Sequence, residues 1–274
     1  MGSYLNPGNS GFSNMRNDVY VDKTEMISLI NQTINTPRNL TCISRPRRFG
    51  KSFAAKMLCA YYDKTCDSKE LFHGLKIAKD DKYLKYLNQY DVIFLNVQEF
   101  LSQSKNIDEM ISLIRRSVLW DLLGEYPEFR YFDTSNLTRT MQDVYQQTKC
   151  PFVVIIDEWD CVFREYKTNR ETQERYLDFL RDLLKDKGYI HLVYMTGILP
   201  IKKYGTHSAL NMFDEFSMIE PGPLASYVGF TEIEVQKLCG QYDMEIEEVK
   251  NWYDGYSFDK ALSVYSPRSV VSCM

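Results

Sequence analysis

The sequence is poor in residues that interrupt regular structure, with 13 Gly and 9 Pro in 274 residues, about 8% together against a background of roughly 12%. That scarcity weighs against a turn-rich β-sandwich and favours long helices and strands. No apolar run approaches the roughly 18 residues that cross a bilayer. The first twenty residues, MGSYLNPGNSGFSNMRNDVY, lack the basic and apolar regions of a secretory leader. A soluble, cytoplasmic protein with no membrane partner is expected. The seven cysteines (42, 59, 66, 150, 161, 239 and 273) are scattered, odd in number and without a C-x-x-C pair, which fits a reducing compartment and argues against a zinc site. His73, His191 and His207 share no ligand spacing. Positive charge is not in excess either: 33 Lys and Arg face 37 Asp and Glu for a formal net charge of −4, so no global basic field drives non-specific nucleic-acid binding.

The composition present is that of a globular protein, 44% hydrophobic and 26% charged, and disorder is excluded as the main state. A chain of 274 residues exceeds the roughly 150 of a typical domain, so one large domain with a small appendage is expected. Apolar spacing from Met26 to Ile34 predicts a helix over 24–35, with Asp22 or Thr24 as its cap. Leu40–Ser44 reads as a short buried strand, followed by a tight loop and a helix from Lys51 to about Tyr62. Further strand-length apolar runs lie at 92–97, 152–156 and 192–196, with a weaker one at 216–219; helical patterns fill 106–123, 137–148 and 171–186. Strands alternating with helices predict an α/β fold, a mostly parallel sheet flanked by helices. From Gly229 the pattern changes to helices at 231–240 and 245–254, with one further strand at about 263–265. The boundary is placed near 222, dividing a core over 1–222 from a small helical lid over 223–274.

Between the first strand and its helix stands Ser44-Arg45-Pro46-Arg47-Arg48-Phe49-Gly50-Lys51-Ser52, a G-K-S ending in the context a phosphate-binding loop requires. Backbone N–H groups from about Arg48 to Ser52 would surround a β-phosphate at the helix N-terminus, where partial positive charge favours an anion. Lys51 would bridge the β- and γ-phosphates, and Ser52 would offer its hydroxyl to Mg²⁺. The first glycine of G-x-x-x-x-G-K-[ST] is replaced by Arg45, so a basic turn before a charged helix start explains the same residues until a second motif decides.

Phe152-Val153-Val154-Ile155-Ile156-Asp157-Glu158 supplies it, an apolar strand ending in two carboxylates, the Walker B pattern. Sites on parallel sheets lie at the carboxyl ends of strands. Asp157 is therefore expected in the Mg²⁺ shell beside Ser52, and Glu158 as the group that orients and deprotonates the attacking water. The later strand ends in Thr196-Gly197. Thr196 is a candidate for contact near the γ-phosphate, although a threonine before a glycine turn explains it equally well.

With both motifs in place, the chain resembles the bacterial AAA-ATPase-like family, whose P-loop domain commonly precedes a PD-(D/E)XK nuclease-like domain. The matching segments are Tyr20-Val21-Asp22-Lys23-Thr24, the arginine-rich phosphate loop, Ile156-Asp157-Glu158, Thr196-Gly197-Ile198, Gly229-Phe230-Thr231-Glu232 and Trp252-Tyr253-Asp254-Gly255-Tyr256. The resemblance implies a P-loop core with a helical lid, ATP and Mg²⁺ as cofactors, and nucleotide contacts from Arg47, Arg48, Phe49, Gly50, Lys51 and Ser52. It also implies that Val21 and Asp22 lie near the adenine, though a helix cap beside a partly buried aromatic accounts for those two as well. Where the family often continues with Ser-Arg, Leu199-Pro200 stands here, and an arginine role at that point is not carried over. The tail Tyr265-Ser266-Pro267-Arg268-Ser269-Val270 looks like the run into the nuclease-like domain, which is expected to be missing, so that any nucleic-acid partner would be reached only through that domain. Asp243 with Glu248-Val249-Lys250 mimics a nuclease signature but falls in helical pattern and reads as a solvated helix.

Two functions share these residues: a Mg-dependent ATPase coupled to a conformational change, and a nucleotide-dependent binding module with little turnover. A P-loop kinase is disfavoured because Asp-Glu at the strand end suits water activation. No arginine stands in a clear catalytic motif, so the sequence predicts slow hydrolysis until a partner, such as a second copy of the chain, supplies one.

Overall fold

The computed structural model describes residues 2–201, 211–252, 255–258 and 262–274. His207, and Tyr253 and Asp254 of the W-Y-D-G-Y segment, lie outside them. The main sheet has five strands, β1 (Leu40–Ser44), β2 (Asp91–Asn96), β3 (Phe152–Asp157), β4 (Ile190–Gly197) and β5 (Asp214–Phe216). Their order is β2-β3-β4-β1-β5, and every pairing is parallel. The helices before and between them are α1 (Ser10–Met15), α2 (Glu25–Asn31), α3 (Lys51–Tyr62), α4 (Lys69–Phe72), α5 (Tyr83–Tyr86), α6 (Val97–Ser102), α7 (Ile107–Glu125), α8 (Leu137–Thr148), α9 (Cys161–Glu165) and α10 (Arg170–Leu184).

Successive strand residues point to opposite faces, and the two faces bury different sets. Cys42, Ile93, Leu95, Val154, Ile156, Val193 and Met195 meet residues of α6, α7, α8 and α10. Ile43, Val92, Val153, Ile155, Leu192 and Tyr194 meet residues of α1, α2 and α3 on the other side. Strands covered on both faces are apolar throughout, which is why the sequence announces them. The α/β expectation therefore holds.

Several boundaries differ, each for a local reason. The helix expected over 24–35 stops at Asn31, because the Thr33 and Thr36 hydroxyls donate to the carbonyls of Ile30 and Thr33 at 2.9 and 2.8 Å and turn the backbone aside. The strand expected over 92–97 ends at Asn96, whose side chain accepts from the Glu99 N–H and caps α6. The weak strand lies at Asp214–Phe216 rather than 216–219. Its ladder with β1 ends at the Ile43–Phe216 pair, after which the Ser217 hydroxyl accepts from the N–H groups of Ile219 and Glu220 in a turn.

The C-terminal segment carries α11 (Glu232–Tyr242), α12 (Ile246–Trp252) and α13 (Pro267–Val271), together with β6 (Phe230–Thr231), β7 (Tyr256–Phe258) and β8 (Leu262–Tyr265). The three strands form an antiparallel sheet in the order β6-β8-β7, so helices alone do not make up this part. The strand expected at about 263–265 is β8, whereas β6 and β7, of two and three residues, show no period from which to read them. Phe230, Val235, Leu238, Val249, Tyr265 and Val270 form a small core of their own, against which Val19 and Val21 pack. Lys250 is spent on Glu232 and Glu247 at 2.7 and 3.6 Å, as a helix-surface lysine would be.

Candidate nucleotide site

A cleft of about 1090 Å³ opens beyond the carboxyl ends of the central strands. One wall is the 47–52 loop, a second the segment from Asp18 to Val21, a third Gly229, Phe230 and the start of α13, and a fourth Asn96, Glu158 and Arg164.

The loop is shaped by two left-handed residues, Arg48 at φ 73° and Gly50 at φ 83°, on either side of Phe49. Glycine adopts this conformation freely, whereas arginine does so at a cost of order 1–3 kcal/mol. Phe49 anchors the loop. Its ring is buried and sits 5.4 Å edge-on from the ring of Tyr256. A Cβ at Gly229 would lie 3.1 Å from the Phe49 ring and 3.3 Å from the Tyr265 carbonyl, and Gly229 has φ 114°. Gly229→Ala is expected to cost about 1–3 kcal/mol and to lower the thermal midpoint by several degrees; an unchanged midpoint would mean that loop and C-terminal segment do not pack this way. The Ser266 hydroxyl completes the contact, donating to the Arg48 carbonyl at 3.3 Å.

Arg45, in the place of the missing glycine, turns inward. It is fully buried and donates through Nη1 to the carbonyls of Ser44 and Phe216 at 3.1 and 3.0 Å, which ties the loop to β5. Burial pushes its guanidinium down to about 10. Arg47 and Arg48 face solvent at the cleft mouth.

Helix α3 begins directly after Gly50, and no side chain caps its N-terminus. Its first-turn N–H groups and the positive end of its dipole are therefore available to an anion in the cleft. The Lys51 ammonium is buried and donates to the carbonyls of Arg45 and Pro46 at 3.0 and 2.9 Å. Burial lowers its pKa, opposed by the carboxylates of Glu158, Asp157 and Asp160. Ser52 lines the same cleft, half-buried.

Strand β4 lies between β1 and β3, pairing Ile43 with Thr196 and Ile156 with Met195. The hydroxyl of Thr196 is fully buried and donates to Asp157 Oδ1. The hydroxyl expected near a γ-phosphate thus bonds the acid that ends β3, beneath the cleft. The Glu158 N–H also donates to Asp157 Oδ1, at 3.1 Å. Both bonds fall on one oxygen, leaving Oδ2 for another partner. A carboxylate oxygen and the Ser52 hydroxyl are of the hard oxygen type that Mg²⁺ takes; Ser52 lines the cleft, and Asp157 is buried beneath it.

Glu158 sits at φ 56°, left-handed like Arg48, with its side chain 25% exposed. Its carboxylate accepts a hydrogen bond from Arg164 Nη2. Arg164 Nε lies 3.2 Å from Asp160 Oδ2, and Asp160, fully buried, also accepts from the Leu199 N–H at 3.0 Å.

The two residues expected near a base separate. Val21 lines the cleft, with Val19 and Tyr20. Asp22 is not among the residues lining it: Oδ1 accepts from the Thr24 N–H and hydroxyl at 2.9 and 2.6 Å, and Oδ2 from the Lys76 N–H at 2.7 Å. Next to it, Lys23 donates to the Ser226 carbonyl at 2.6 Å and to Glu234 at 2.5 Å. Glu234 belongs to the capping box of α11, so the segment that precedes α2 is tied to the C-terminal segment.

Sequence reasoning missed Asn96, Arg164 and Arg268, all of which line the cleft. Only tertiary structure brings Arg268 to the phosphate loop; its helix starts at Pro267, whose ring would be 3.9 Å from a Cβ on Gly50. Arg164 carries one signal, its i,i+4 spacing from Asp160. Among the described residues no helix is long and apolar enough to cross a membrane.

The sequence matches the family model described as Predicted AAA-ATPase over residues 7–206. No curated protein matches it. Among solved structures it is similar to the ORC2 protein of Aeropyrum pernix, in ADPNP–ADP complexes, with 11% identity and a TM-score of 0.41 over 82% of this chain and 52% of that one. It is also similar to PCH-2 of C. elegans, with 13% identity and a TM-score of 0.35 over 87% and 50% of the two chains. The chain spans about half the length of each.

Proposed function

We propose, for a chain that belongs to the predicted AAA-ATPase family, that its cleft binds ATP with Mg²⁺ and hydrolyses it, and that occupancy is transmitted to the C-terminal segment over 223–274. The observation that carries this reading is the uncapped start of α3 beside Lys51, a buried ammonium held on two carbonyls of its own loop. An ammonium whose hydrogen bonds go to neutral carbonyls gains when phosphate oxygens replace them, because the new acceptors carry the opposite charge.

In this reading the α3 amides and Lys51 hold the β- and γ-phosphates. Arg47 and Arg48 approach from the mouth, and Val21 borders the base. Ser52 and Asp157 hold Mg²⁺, which when bound neutralises charge on the phosphate oxygens. Thr196 keeps the Asp157 carboxylate oriented through Oδ1. Glu158, one residue on, accepts the proton of the attacking water. The contacts Phe49–Tyr256 and Arg48–Ser266 offer a direct route from the loop to the C-terminal segment.

The test is Asp157→Asn. It should impair Mg-dependent phosphate release by tenfold or more while changing Mg-free ATP affinity little, because the proposed role is in the metal shell. Parallel loss of binding and turnover would indicate a purely structural carboxylate. A second reading, a binding module with little turnover, draws on the engagement of Glu158 by Arg164; Mg-dependent phosphate release that depends on Glu158 would decide against it.

A further inference from the structure

We propose that Arg45 is a positioning residue of the phosphate site: its buried side chain sets the affinity for ATP by tying the phosphate loop to β5 and, through β5, to the start of the C-terminal segment. The proposal rests on the nucleotide-binding part of the reading above. Arg45 stands where G-x-x-x-x-G-K-[ST] has its first glycine, a residue with no side chain to hold anything. Here Nη1 donates to the carbonyls of Ser44 and Phe216 at 3.1 and 3.0 Å, and the Arg45 N–H donates to the Gly197 carbonyl at 3.0 Å. Those three acceptors are the last residues of β1, β5 and β4, so one residue fastens the loop to three strand ends. The Arg45 carbonyl in turn accepts from Lys51 Nζ at 3.0 Å. What fixes Arg45 therefore fixes an acceptor that sets where the ammonium rests.

A loop already ordered in the free chain does not have to be ordered by its ligand, and affinity gains by the difference. Glycine at this position would remove the charge-assisted bond to β5 and add backbone freedom that ATP must then quench. Phe216, the far end of the tether, is held from its other side. Gly222, directly before the C-terminal segment, approaches so closely that a Cβ on it would lie 2.7 Å from the Phe216 ring. Leu224 is buried in the same core as Ile43 and Tyr194. A shift of these first residues of the segment displaces Phe216, and Phe216 carries the acceptor of Arg45. This connection enters the loop at its first residue, whereas the Phe49–Tyr256 and Arg48–Ser266 contacts enter it further along.

The experiment is calorimetric titration of the full chain with Mg-ATP, beside thermal unfolding without nucleotide. Arg45→Gly completes the common loop pattern, yet it should weaken binding roughly fivefold to thirtyfold, the factor that loss of one charge-assisted hydrogen bond sets in an equilibrium. Unchanged or tighter binding would overturn the proposal. So would a lowered thermal midpoint with unchanged affinity, the mark of a residue that only stabilises the fold. If that variant does not fold, Arg45→Lys, which keeps the cation on a shorter stem without the guanidinium fork, takes its place; it too should bind ATP more weakly than the unsubstituted chain, and equal affinity would overturn the proposal. Gly222→Ala should weaken binding several-fold in the unsubstituted chain and add little in the folded Arg45 variant, because both act through Phe216. No effect of Gly222→Ala, or two losses that multiply, would overturn the connection through β5. Failure of the unsubstituted chain to bind ATP would remove the nucleotide reading and this proposal together, whereas intact binding that Arg45→Gly leaves unchanged would remove this proposal alone.

Discussion

Phosphate release by Glu158→Gln is expected to fall by roughly 10²–10⁴-fold, the usual contribution of a positioned general base, while ATP affinity stays within about threefold of the unsubstituted chain. Gln keeps the size of the side chain and an oxygen that can accept from Arg164, so cleft shape and the Arg164–Asp160 pair are preserved. The substitution removes the ability to take a proton from water. Glu158 has the place for this task, immediately after the acid that ends β3 and on the cleft wall shared with Asn96 and Arg164. Single-turnover phosphate release with calorimetric ATP binding is the measurement. Equal turnover in the two chains would assign the proton to another group and leave Glu158 as the partner of Arg164 only. Loss of binding with turnover would mean that the residue supports the cleft.

The parts of this site that the sequence shows are those made by one element at a time. Phe152 to Asp157 is legible because a parallel strand buried on both faces needs apolar side chains at every position, and its first polar residue marks the carboxyl end. The phosphate loop is legible from Gly50-Lys51-Ser52 between a strand and a helix. Arg45 shows the limit: as a sequence symbol it is one more loop cation, yet it is buried and serves β5, which lies about 170 residues further along the chain. Met218 and Ile219 mislead in the opposite direction, as apolar residues in a turn, with Ile219 91% exposed. Arg164 and Arg268 acquire meaning only from what faces them. Thr196 is legible as the polar end of β4, but the partner of its hydroxyl depends on β4 lying beside β3, a neighbour relation no local pattern encodes.

Lys51→Met is expected to lower ATP affinity roughly tenfold to hundredfold, because a charge-assisted hydrogen bond contributes about 1.5–3 kcal/mol and 1.4 kcal/mol is a factor of ten. The nucleotide-free chain should meanwhile unfold at a temperature no lower than the unsubstituted one. The second half follows from the direction in which the Lys51 pKa moves. Burial lowers it more than Glu158, Asp157 and Asp160 raise it, so the charged form is disfavoured in the folded chain relative to the unfolded one. The unfolded state then binds more protons in the window between the lowered value and 10.5, and stability rises with pH across it. At neutral pH the folded chain carries the full cost of this ammonium, which methionine removes while keeping an unbranched, apolar stem. The carbonyls of Arg45 and Pro46 border the cleft, where water can replace the lost donor. Sites that spend stability on function show this pairing of gains and losses. Calorimetric ATP titration and thermal unfolding in the pH range 7–10 measure the two halves. Unchanged affinity would remove Lys51 from the phosphate site, and a clear drop in thermal midpoint would show that the lysine is there to hold its loop.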